Sequence, residues 1–108
     1  MIRGIVIPAD GAVQLVELGE TDTEQLRTLQ EIVGGYIETV PLSPSAPAVT
    51  MFANEDGVRL QLPTNLVACM LTGRPIVGSV VLAGAATHSG ALRTIPDDWS
   101  SYLVGAHD

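Results

Sequence analysis

A chain of 108 residues with twelve acidic and five basic side chains, formal charge -7, is by length one acidic domain. Such a chain buries roughly 65% of the surface its unfolded form exposes, so it supports a genuine core. The bases Arg3, Arg27, Arg59, Arg74 and Arg93 are scattered singly, which excludes the clustered positive patch that phosphate backbones require, and no apolar run approaches the ~18 residues of a membrane-spanning helix.

The first elements are strands. Residues 2–7 are rich in β-branched side chains and end at Pro8; Pro8-Ala9-Asp10-Gly11 has turn chemistry, and residues 12–18 return, which predicts a hairpin with Gly11 at a positive φ. The clearest helix signal follows. Thr21 with Glu24 three residues on forms a capping box, and Leu26, Leu29, Ile32 and Val33 fall on one face. Glu24, Arg27 and Glu31 occupy the other face at spacings that allow weak ion pairs, and Gly34-Gly35 supplies a left-handed stop.

Residues 36–40 read as a strand and 41–47 as a proline-punctuated loop. Residues 49–53 and 58–62 flank Asn54-Glu55-Asp56-Gly57, and the alternation of Val58, Leu60 and Leu62 with Arg59 and Gln61 predicts a second hairpin. A short helix is expected over 63–72, opening at Pro63, burying Leu66, Val67, Met70 and Leu71, and stopping at Gly73. The nearly continuous apolar run 76–83 fits a central strand covered on both faces. Beyond it periodicity fades, although Pro96-Asp97-Asp98-Trp99 can open a short terminal helix. The order is ββαβββαβ with a tail: an α+β fold with a mixed or antiparallel sheet of about six strands, two main helices and a short tail helix. It divides into a domain over 1–84 and a C-terminal tail over 85–108, expected to pack on the domain or on a partner.

Chemistry-bearing groups are few. His88 and His107 share no metal-ligand spacing, so the sequence encodes neither a metal site nor a need for a cofactor. His88 precedes Ser89, but no nucleophile elbow surrounds the pair. Cys69, the sole cysteine, lies among Val67, Ala68, Met70 and Leu71 and reads as a buried thiol in a reducing, cytoplasmic setting. Two segments are sharper. Asn54-Glu55-Asp56-Gly57 sets two carboxylates at a turn without the alternating ligands of a calcium loop. Gly34-Gly35-Tyr36-Ile37-Glu38 sets an aromatic and an acid after a glycine pair, whose N–H groups can form a small anion nest or simply cap the helix ahead of a half-buried tyrosine.

These residues carry a resemblance. The run Leu29-Gln30-Glu31-Ile32-Val33-Gly34-Gly35-Tyr36-Ile37-Glu38-Thr39-Val40, then Asn54-Glu55-Asp56-Gly57, then Leu62-Pro63-x-Asn65, then Ile76-Val77-Gly78, resembles the domain-of-unknown-function family 3846. The likeness spans about residues 26–82. It implies a small α+β protein of bacteria, phages and other mobile elements, with no established reaction. Gly34, Gly35, Tyr36, Glu38, Asn54, Glu55, Gly57, Pro63, Asn65 and Gly78 are the positions that match.

Asn65 and Glu38 stand out among them. Neither turn geometry nor packing asks for these polar residues unless they bond to each other, to a ligand, or to backbone groups of the Gly34-Gly35 turn. Candidate ligand- or partner-binding residues are therefore Gly34, Gly35, Tyr36, Glu38, Asn54, Glu55 and Asn65, with Trp99 in the tail. The functional expectation is a non-enzymatic accessory protein of phage type that binds a host protein or a small nucleotide-like ligand, in counter-defence, with a homo-oligomer interface as one place for the ligand. A small hydrolase using Glu38, Glu55 or Asp56 and an acidic mimic of DNA are the alternatives.

Overall fold

The structure, a computed structural model, describes residues 2–40, 42, 48–87 and 90–104. The anticipated proline loop 41–47, apart from Leu42, lies outside the described residues, as do His88, Ser89 and His107.

Five strands, β1 (Arg3–Ile7), β2 (Gln14–Glu17), β3 (Ile37–Val40), β4 (Val49–Asn54) and β5 (Val80–Gly84), form one antiparallel sheet of order β2-β1-β5-β4-β3. Three helices are described: α1 (Asp22–Val33), α2 (Leu66–Thr72) and α3 (Asp97–Leu103). The fold is therefore α+β, with an all-antiparallel sheet and the order ββαββαβα.

Alternation along the strands sorts the core into two layers. Ile5, Ile7, Met51, Ala53, Val80 and Leu82 face one side, where Ala68 of α2 and Ile95 join them and Trp99 and Leu103 of α3 pack from above. Val6, Phe52, Val81 and Ala83 face the other, against Leu29 and Val33 of α1. Every residue of the central strand β5 is buried, as its unbroken apolar sequence requires.

Helix α1 begins where its capping box places it. Glu24 N–H donates to Thr21 Oγ1 at 3.2 Å, and Glu24 Oε1 accepts from Thr21 N–H at 3.1 Å. Its buried stripe differs from the apolar one: Gln25 is 2% exposed while Leu26 is 45% exposed. Gln25 Oε1 accepts from Leu92 N–H at 2.7 Å and its Nε2 donates to Gly19 O at 3.1 Å, so a buried amide clamps the C-terminal segment to the helix.

Three expectations are corrected. Residues 58–62 are not a strand. Leu60 N–H bonds to Asp56 O, Gln61 N–H to Val58 O and Leu62 N–H to Gly57 O, so the segment coils into successive turns ending at Gln61 with φ 57°. The hairpin partner of β4 is β3, which precedes it in the chain. Helix α2 starts at Leu66 with Asn65 as its N-cap, three residues later than an opening at Pro63. It also turns Leu66, Val67 and Met70 to solvent and buries Ala68, with Cys69 and Leu71 half-buried. The strand expected over 76–83 forms only from Val80, since Gly78 takes φ 79° and Val77 makes an isolated bridge with Thr64.

The described part of the tail packs on the domain. Leu92 and Ile95 are buried, Gly84 N–H donates to Arg93 O, and Ile95 N–H donates to Arg3 O. Contact is so close that a Cβ at Gly84 would lie 2.5 Å from Thr94 O.

Candidate functional site

The motif residues gather at two places, the end of the β3–β4 pair and the start of α2. At the first, Gly34 closes α1 at φ 81°, a conformation glycine adopts without strain. The N–H groups of Gly34 and Gly35 both donate to Gln30 O, at 2.9 and 3.1 Å, so the suggested anion nest is occupied by the helix's own carbonyl. Asn54, 5% exposed, locks this turn onto the sheet. Its Nδ2 donates to Val33 O at 3.0 Å and its Oδ1 accepts from Asp56 N–H at 2.8 Å. A Cβ at Gly35 would lie 3.0 Å from Asn54 Nδ2, which explains the second glycine: it leaves room for the asparagine.

Asn65 does comparable work 11 residues further on. It is 1% exposed; Nδ2 donates to Ile7 O at 2.9 Å and Gly78 O at 2.8 Å, and Oδ1 accepts from Ala68 N–H at 3.1 Å. One side chain thus caps α2 and ties it to β1 and to the entry of β5. It meets neither Glu38 nor the Gly34-Gly35 turn; the asparagine that serves that turn is Asn54. Every buried side-chain nitrogen and oxygen among the described residues has a partner, so neither amide is left pointing at an open space.

The remaining motif side chains face solvent. Tyr36 is 69% exposed rather than half-buried; Glu38 on the edge strand β3 and Glu55 just past the end of β4 are exposed near it. Glu38, Glu55, Gly57, Val58 and Pro75 line a shallow cleft of about 70 Å³. Asp56 instead pairs with Arg59 at 3.2 Å. On the opposite face of β3, Asp22, Leu26, Leu29, Ile37, Phe52 and Leu92 border a groove of about 140 Å³. Trp99 is distant in role: it is half-buried on the α2/α3 face of the core, while its neighbour Tyr102 is 81% exposed. The Cys69 thiol is half-buried, and its Sγ accepts from Ile76 N–H at 3.2 Å. Among the described residues no three His, Cys, Asp or Glu side chains stand together as metal ligands, and no helix is long and apolar enough to cross a membrane.

Sequence reasoning missed Gln25, which reads as a polar residue on a helix edge. The signal for it is its spacing of four and eight from Leu29 and Val33.

Comparison with known proteins adds fold and family. A solved structure of similar fold is the crystal structure of small RNA methyltransferase HEN1, with a TM-score of 0.68 and 18% identity over 95% of this chain and 16% of that one. At that identity the likeness concerns the fold alone, and this chain spans 16% of that chain's length. No curated protein matches the chain. The sequence pattern of the domain-of-unknown-function family DUF3846 matches residues 2–104, extending past residues 26–82 at both ends and taking in α3. The asparagine and glycine positions that build the β3–β4 end and cap α2 thus lie within a match over nearly the whole chain, and the protein belongs to the DUF3846 family.

Proposed function

We propose that this protein is a non-enzymatic accessory protein of the kind carried by phages and other mobile elements, acting in the bacterial cytoplasm by binding a host protein. The observation that carries the reading is a division of labour within the motif. Asn54, Asn65, Gly34 and Gly35 are consumed by backbone contacts, while Tyr36 and Glu38 stand exposed along one sheet edge with Glu55 exposed near them. Such an edge meets a macromolecule more readily than it encloses a metabolite. The clefts flanking it, about 70 and 140 Å³, fall below the roughly 300 Å³ at which small-molecule pockets begin, which favours a protein over a nucleotide-like ligand. The same small volumes weigh against a hydrolase built on Glu38 and Glu55.

Affinity capture from bacterial lysate, comparing the wild-type chain with a Tyr36→Ala/Glu38→Arg variant, tests this reading. A host protein retained by the wild type and lost from the variant is the expected result. Co-purification of a nucleotide by both chains, or hydrolytic turnover lost in a Glu38→Gln/Glu55→Gln variant, would replace it.

A further inference from the structure

We propose that the open edge of β3 takes up an extended, basic segment of a partner protein as an added strand, an inference that rests on reading the protein as a binding module. Its geometry starts from one hydrogen bond. Glu55 N–H donates to Tyr36 O at 3.0 Å, in register with the pairs Ile37–Asn54 and Glu38–Ala53. Hydrogen-bonded and non-bonded pairs alternate along an antiparallel ladder, so Glu38 and Val40 turn their backbone groups toward β4, and Ile37 and Thr39 turn theirs outward. Among the described residues, no backbone bond reaches the N–H or C=O of Ile37 or Thr39 from outside the β3–β4 pair. An extended peptide meets two donors and two acceptors there, spaced for strand addition.

Side chains on the two faces of the edge state what that peptide carries. An added strand alternates its residues between the faces. On the α1 face, Ile37, Phe52, Leu26 and Leu29 line an apolar groove fit for one aliphatic side chain. On the other face Glu38 and Glu55 border the second cleft. Asp22 adds a third carboxylate on the α1 side, and no arginine lines either cleft. Charge complementarity therefore selects a strand alternating aliphatic with arginine or lysine residues, and Tyr36 at the strand's start offers its ring to a cation.

A second copy of the chain does not fit. The β3 edge of a second copy would bring its own Glu38 and Glu55 and no arginine to this edge, adding acid to acid. The β2 edge is a poorer receiver as well, because Arg3 beside Glu17 compensates its charge.

The test uses the full chain and two capped peptides, one alternating valine with arginine and one alternating valine with glutamate, followed by calorimetry and amide hydrogen exchange. The arginine peptide is expected to bind about tenfold tighter than the glutamate peptide at low salt and to slow exchange of the Ile37 and Thr39 amides. Thr39→Pro removes an outward N–H without breaking a ladder bond, and should weaken binding about tenfold while leaving the thermal transition in place. Glu38→Arg, an exposed change that tests the charge alone, should reverse the preference between peptides. Equal affinity for both peptides, no binding by either, or binding with unaltered exchange at Ile37 and Thr39 overturns the proposal. A host protein captured equally by wild type and Thr39→Pro overturns the edge while sparing the binding function; arginine-peptide binding at the edge without any host protein captured overturns that function instead.

Discussion

Asn65 holds three backbone groups at once, and its two donated bonds are as short as its cap. If capping were its whole role, aspartate would serve in its place, since a carboxylate accepts from an N-terminal N–H at least as well as an amide. With the donations to Ile7 O and Gly78 O in play, aspartate instead sets negative charge against two buried carbonyls. Asn65→Ala is therefore expected to cost about 3 kcal/mol, from a lost cap and newly unpaired buried groups. Asn65→Asp should cost at least as much. Urea unfolding of both variants checks the ranking, and an aspartate variant near wild-type stability would reduce Asn65 to a cap. Asn65 was conspicuous in the sequence as a polar residue without a local reason, and Asn54 as part of a turn. Their partners were not legible, because Asn65 bonds across 58 residues and Asn54 across 21, separations that only the closed sheet brings together.

Elements governed by neighbours in sequence were legible, and those governed by distant contacts were not. The β1–β2 hairpin and α1 rest on turn residues, a capping box and a glycine stop, all local. The rotation of α2 rests on Asn65: anchored to β1 and to Gly78, it directs positions 65 and 68 inward, and this outweighs the hydrophobicity of Leu66 and Met70. Val58 and Leu60 alternate like strand residues, yet Asn54 Oδ1 takes the Asp56 N–H and starts a turn instead. The α1 cap also has a pH signature. Bonds from the Glu20 and Thr21 N–H groups hold the Glu24 carboxyl below the usual carboxylate range. A depressed folded-state value stabilises the fold above the ordinary carboxylate range, and that contribution is lost as pH falls through the lowered value. The Tm of Glu24→Gln should lie below that of the wild type at neutral pH, and the gap should close on acidification. A constant gap across the acid limb would assign the effect to packing.

At the scale of the molecule, a radius of gyration of 12.8 Å is that of one closed domain, and the segment after Gly84 is part of the closure. Leu92 contributes to one core layer and Ile95, Trp99 and Leu103 to the other, while the buried Oε1 of Gln25 accepts its bond from Leu92 N–H. A chain ending at Gly84 is expected to lose its cooperative thermal transition and to bind a hydrophobic dye; a sharp melt for that fragment would show that residues 85–104 are an accessory layer. The net charge of -7 takes on a place as well as a size, since Glu38 and Glu55 set part of it beside β3, where no arginine lines either flanking cleft.

The position of β5 governs the order in which the molecule can be made. The two hairpins it separates, β1–β2 and β3–β4, share no ladder of their own, and the inner edge of each finds its partner only in residues 80–84. Until β5 is in place, the two ribbons have no strand to join them. Closing the sheet rests on sequence-distant pairs such as Ile5 with Leu82, the kind of contact that slows folding. Until the sheet closes, the inner edges of both ribbons are open to pairing with each other and with other chains.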